Sequence, residues 1–397
     1  MMRGTRWMTA FCGFFALLVS PLMACLWDYD TLQQERSRFP NTLELITGWF
    51  PRHSDAFYHW RLQDRTSRLA KNPEDKEAYD DLAVAYEKLG DHKRAIEIIQ
   101  QKEERWPGEY ETAANYGTFL IHQGKFKEGL VEIRRAIEIN PDAHFGREIY
   151  QQKLVEYVLS CKGEGDEGVS LPLTGEVPLS SYGMPKGFAE FVLASKAIDL
   201  RDSEAVAQEI ALAQKGVLGM MRFGNHDSPI LLEALASLLL VGREQGDAKR
   251  LAVRALLKAS EETKGEVSAA YRELAADALD LQTIKPGNSQ QIPLGQVADR
   301  FSQELQAAEE WYAELERDEK RWIEEGADPE AKFQEKYASK PQVQASFSST
   351  GTKPQGQFLP RWTEGVSLRW LGILGAIAVL VPLTVFVKVL KRMLSRN

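Results

Sequence analysis

Three prolines, Pro73, Pro107 and Pro141, recur at intervals of 34 residues, and Gly90 and Gly124 fall at the same interval between them. A fixed period of this length marks a repeat architecture, in which each unit is one supersecondary motif that buries its apolar face against the next. Setting the stretch that starts at Ala78 over the one that starts at Thr112 pairs Leu82 with Tyr116, Ala83 with Gly117, Tyr86 with Leu120, Ala95 with Gly129 and Ile99 with Ile133. Large residues stand over large and small over small. The small ones let two helices of a hairpin approach closely, and the large ones fill the layer between them. Gly90 and Gly124 sit where the turn between the helices needs positive φ, and the prolines stop one hairpin and start the next.

These residues resemble the tetratricopeptide repeat (TPR) over Pro73–Pro141. The chain as a whole is similar to uncharacterised exported bacterial TPR proteins. The resemblance implies an all-α fold, a short α-solenoid of helical hairpins whose first helices line a concave groove for a segment of a partner protein. It places Glu77, Asp80, Val84 and Lys88 of the first copy in that groove, with Glu111, Ala114, Thr118 and His122 of the second. Asn115 matches an Asn that grips peptide backbone in some members of the family. The family's carboxylate clamp is absent, because Asp80 and Val84 stand where a Lys and an Asn are needed, so a basic or apolar partner segment is expected rather than an acidic C-terminus.

The same logic divides the rest of the chain. Residues 73–160 form the TPR block, 161–185 a Gly-, Pro- and Ser-rich insertion, either an ordered excursion or a flexible one, and 186–284 a second, TPR-like helical block. In that block residues 228–260 read as a hairpin, and "VSAAYRELAADALDL" as the helix after it. Residues 293–338 form a long acidic amphipathic helix, with Val297, Phe301, Leu305, Ala308, Tyr312, Leu315 and Trp322 on one face. Asp299–Lys336 holds 13 acids against 6 bases, most of the chain's net charge of −8. That charge reads as the solvated outer face of a capping helix in preference to an acidic docking surface. Residues 25–72 are an aromatic-rich N-terminal segment whose Trp27, Tyr29, Phe50, Phe57, Tyr58 and Trp60 are expected to pack under the first repeat rather than form a surface for a membrane complex.

Both ends suggest a membrane. Residues 1–24, basic at Arg3 and Arg6 and then uncharged, read as a signal peptide or signal anchor. Residues 370–388 are apolar and long enough for a transmembrane helix, with a basic tail at 389–397 and a linker at 339–365. The positive flanks put the body on the extracytoplasmic side of a bacterial cytoplasmic membrane and the C-terminus in the cytoplasm. Leu22-Met23-Ala24-Cys25 resembles a lipobox, making Cys25 a candidate for lipidation. A Cys25–Cys161 disulfide is the alternative, and the two exclude each other.

The acidic balance argues against a nucleic-acid grip. One stretch looks like chemistry: Gly224-Asn225-His226-Asp227 resembles a metal-ligand motif of calcineurin-type metallophosphoesterases. Asp142-Ala143-His144 and Gly165-Asp166 can be set in the family's order, but Val169 stands in place of the acid that closes the middle motif, and the strands that carry such motifs are missing. The stretch is better read as a helix start, with Pro229 in the first turn and Asp227 or Ser228 as cap. The lone histidines His53, His59, His92 and His122 read as surface or groove residues. The expectation is therefore an exported, membrane-tethered TPR adaptor or scaffold, not an enzyme, with no cofactor, no metal and no catalytic residues. A metal-dependent phosphoesterase using His144, Asp166 and His226, or a mainly architectural membrane-complex subunit, are the alternatives.

Overall fold

The signals that mark the 34-residue period also set the local geometry. A computed structural model describes residues 40–141, 146–161, 169–175, 185–242, 247–281 and 292–338. Among the described residues there are fourteen α-helices and no strand. The periodic region forms two matching hairpins, α3 (Lys76–Lys88) with α4 (His92–Arg105) and α5 (Tyr110–His122) with α6 (Phe126–Ile139). Their turns coincide bond for bond. Gly90 and Gly124 both have φ of 79°, Asp91 N donates to Tyr86 O at 2.9 Å, and Lys125 N donates to Leu120 O at 2.9 Å. This is the left-handed helix ending that glycine accommodates without strain.

The hairpins close where small residues face each other. Ala83 and Ala95 are fully buried against Ile99, and Ile133 is fully buried in the second copy. At Gly117 an added Cβ would stand 2.8 Å from Ile133 Cδ1, and at Gly129 it would stand 2.6 Å from Ile121 Cγ1 and 2.8 Å from Gly117 O. The backbones of α5 and α6 are thus too close for any side chain at these two positions.

Before the hairpins come α1 (Thr42–Thr47) and α2 (Asp55–Lys71). Phe57 and Tyr58 are buried against Ala85 of α3 with Trp60 half-buried beside them, as expected, whereas Phe50 is buried in the core of the later helices instead of under the first repeat; Trp27 and Tyr29 lie outside the described residues. One period upstream of Ala95 and Ile99 stand Arg61 and Arg65, both buried on α2. Arg65 Nε donates to Asp81 Oδ2 at 2.6 Å, Arg61 Nη2 donates to Glu330 Oε1 at 2.8 Å, and Arg65 also pairs with Glu330.

After the hairpins, α7 (Arg147–Cys161), α8 (Phe188–Ser195), α9 (Ser203–Phe223), α10 (Pro229–Val241), α11 (Ala248–Glu261) and α12 (Gly265–Asp280) pack mainly on neighbours in the chain. They share one large apolar core with Leu45, Ile46 and Phe50. The described part of the 161–185 insertion is an ordered excursion. The buried Glu233 carboxylate on α10 accepts Leu173 N and Thr174 N, each at 2.9 Å, and Tyr271 OH from α12 at 2.8 Å. A buried carboxylate needs such donors, and the loop supplies two of them.

The long helix is α13 (Leu294–Glu324), followed by the short α14 (Pro329–Phe333). Val297, Phe301, Leu305, Ala308, Leu315 and Trp322 are buried along one face as expected. Part of its acidic charge, however, is internal. Glu304 pairs with Arg254 at 2.6 Å, and Glu319 accepts His53 Nδ1 at 2.5 Å and Ser54 N at 2.8 Å. His53 is therefore not a surface residue. It is buried, stacks on the Phe57 ring at 3.5 Å and lies tilted by 40° against Phe333 at 3.9 Å. Among the described residues no helix is long and apolar enough to cross a membrane. The segments 1–24, 339–365 and 370–388, with Cys25 and the basic tail, lie outside them.

The two kinds of glycine should separate in a stability assay. Gly124 has open space beside it, so Gly124→Ala costs only the left-handed φ, about 1 kcal/mol. Gly129 lies inside α6 with ordinary helical φ, so Gly129→Ala meets only the close contact, which should cost about 2–3 kcal/mol. Chemical denaturation of the two variants checks the order; a neutral or stabilising Gly129→Ala would mean that α5 and α6 do not meet there.

Candidate functional site

The residues expected to line a groove divide by burial. Glu77 and His122 are exposed, while Glu111 and Lys88 are half-buried. Asp80, Val84, Ala114, Asn115 and Thr118 are buried, which corrects the picture of one open polar face. Val84 packs with Ala83, Ala95, Ile99 and Phe119. Thr118 Oγ1 donates to Ala114 O at 2.9 Å and accepts Gln151 Nε2 at 3.0 Å. Asn115 Nδ2 reaches Asp80 Oδ1 at 3.5 Å, and Lys102 Nζ donates to Asp80 Oδ2 at 2.6 Å.

Lys102 explains the difference. Its ammonium is buried on α4 and also meets Glu109 Oε2 at 3.1 Å. Burial works against the charge, but Asp80 and Glu109 outweigh it and hold the Lys102 pKa above its ordinary value. In the second copy the positions of Asp80 and Lys102 are taken by Ala114 and Ala136, which pack with Tyr110 and Ala113. The exchange of an Asp and a Lys for two alanines between copies was the sequence signal that these side chains touch.

The C-terminal ends of α3 and α5 present a different set. Glu87, absent from the sequence-based groove, is a buried carboxylate that accepts both His122 Nδ1 at 2.6 Å and His92 Nδ1 at 2.9 Å. Beside it Lys88 Nζ donates to two backbone carbonyls, Phe223 O at 2.9 Å and Gly224 O at 2.6 Å. The protein's own α9–α10 turn thus occupies the inner end of α3.

That turn contains Gly224-Asn225-His226-Asp227. Asn225 Oδ1 accepts Asp227 N at 3.0 Å, an Asx turn, and Ser228 caps α10 with Pro229 in its first turn. The His226 ring stands edge-on to Phe50 at 5.2 Å, and Gly48, at φ of 76°, comes so close that a Cβ there would lie 2.6 Å from His226 Nε2. Asp227 Oδ1 lies 3.2 Å from His226 Nε2 and 3.2 Å from Lys258 Nζ on α11. Burial first, and then the Arg52 guanidinium, push the His226 pKa down to about 3. Among the described residues no group of three His, Cys, Asp or Glu could hold a metal ion. Asp142, His144, Gly165 and Asp166 lie outside them. Cys161 ends α7 as an exposed thiol. Neither a protein-family model nor a curated protein matches the chain.

Asp80 should behave as a packing residue. Asp80→Ala leaves Lys102 buried with Glu109 alone and should cost about 3 kcal/mol of stability, whereas Glu77→Gln, exposed, should stay within about 0.5 kcal/mol. Urea midpoints of the two variants decide it; a silent Asp80→Ala would return this residue to an open surface.

Proposed function

We propose that the chain is a TPR-type adaptor or scaffold, exported and tethered by its C-terminal segment, that holds a segment of a partner protein. The observation that carries this reading is the pair of matching hairpins, with first helices of 13 residues and second helices of 14 in both copies and the same glycine turn. Repeated hairpins of this kind present the same helix edge at each step, which suits an extended partner better than a small molecule.

The accessible N-terminal end of the edge is acidic, while its C-terminal end carries Lys88 and His122. Glu77 and Glu111 occupy equivalent positions near the N-termini of α3 and α5, and a basic segment complements them. Asp80, Asn115 and Thr118 serve underneath as packing. Charge here chiefly sets encounter rate and register rather than total affinity.

Two experiments test the proposal. Crosslinking in the native cell should recover a partner whose yield falls about tenfold or more in a Glu77→Lys, Glu111→Lys double variant with unchanged helicity and melting; unchanged recovery would remove this edge from the binding surface. For topology, protease added to intact spheroplasts should digest the body and spare a fragment near residues 370–397. Protection until lysis would overturn the extracytoplasmic placement.

A further inference from the structure

The α9–α10 turn is a meeting point of elements far apart in the chain. Arg52, just after α1, lies over the Tyr312 ring of α13 at 3.7 Å and donates to Gly48 O. Lys88 comes from α3 and Lys258 from α11. Three cations therefore surround His226, and the acids that answer them are few. Asp227 is shared among His226, Lys258 and Arg52, Glu316 on α13 also offsets the Arg52 charge, and Glu262 accepts Lys258 Nζ at 2.6 Å. The His226 side chain is only 12% exposed, with Phe50 against its edge and the Gly48 backbone against Nε2. An imidazolium here would lack both hydration and a carboxylate of its own.

We propose that this junction is an acid-operated latch: a proton on His226 releases the turn Phe223–Ser228 from α1 and from Lys88, freeing the inner end of α3. The sign follows from linkage. In the closed state His226 stays neutral down to about pH 3, while in the released turn it takes up a proton near its ordinary value of about 6.5. Closure is therefore fully favoured above about pH 6.5, and each unit below it raises the open-to-closed ratio about tenfold. The latch stands on the junction geometry and is independent of what the hairpin edge binds.

Hydrogen exchange of the full chain, corrected for the intrinsic pH dependence of amide exchange, tests it. Peptides spanning residues 44–50 and 222–231 should open about tenfold more per pH unit between 6.5 and 4.5, while those of α5 and α6 stay constant. His226→Gln, neutral at every pH, should abolish the rise. An equal rise in wild type and variant, or a flat wild-type profile, overturns the latch. Selective 15N-histidine spectra of the wild type give a second readout that needs no variant. A His226 ring that becomes charged between pH 7 and 5 while both stretches remain protected also overturns it.

Discussion

A stack of helical hairpins buries its apolar faces only against the next hairpin, so the two ends decide whether the stack holds. Here one helix answers for both. The first half of α13 packs on the last helices through Phe301, Leu305 and the Arg254–Glu304 pair, and its second half reaches α2, where Glu319 accepts from Ser54 N and His53. These are contacts across roughly 50 and 265 residues of chain. The carboxylate at Ser54 sits at the N-terminus of α2, where a negative charge is favoured by the unpaired amides and the helix dipole. Without that contact α2 would lose the cover over Phe57 and over two buried arginines.

The inner surface is governed by the same economy of donors and acceptors. Glu87 serves two imidazoles, Glu233 serves two loop amides and a tyrosine, and Asp80 serves a lysine and an asparagine. Each buried carboxylate joins elements that the apolar packing alone would leave free to slide, since apolar contact is non-directional whereas a carboxylate specifies its partners.

Much of the architecture was legible because it is written in local chemistry. The glycine turns, the small residues where α5 and α6 meet and the three-to-four spacing along α13 all act within a few residues of themselves. The burial of Asp80, Asn115 and Thr118 was not legible in that way, since it depends on which helix lies opposite. Only the Ala114–Ala136 substitution pointed to it. His226 shows the converse. Its tetrapeptide resembles a ligand motif, yet the residues that surround it, Gly48 and Phe50, Lys88, and Lys258, come from three distant places, and no local pattern announces them.

Arg61 and Arg65 have a bearing on how such an array could have grown. Tandem duplication lengthens a repeat protein cheaply when every unit offers the next one the same apolar face. In α2 that face carries two guanidiniums matched to Asp81 on α3 and Glu330 on α14, so a copy of α2 placed further along the array would bring buried charge to a place with no Glu330 to meet it. The face on which α2 meets its neighbours is chemically distinct from the apolar face that the two matching hairpins share, and a unit built on it would not repeat.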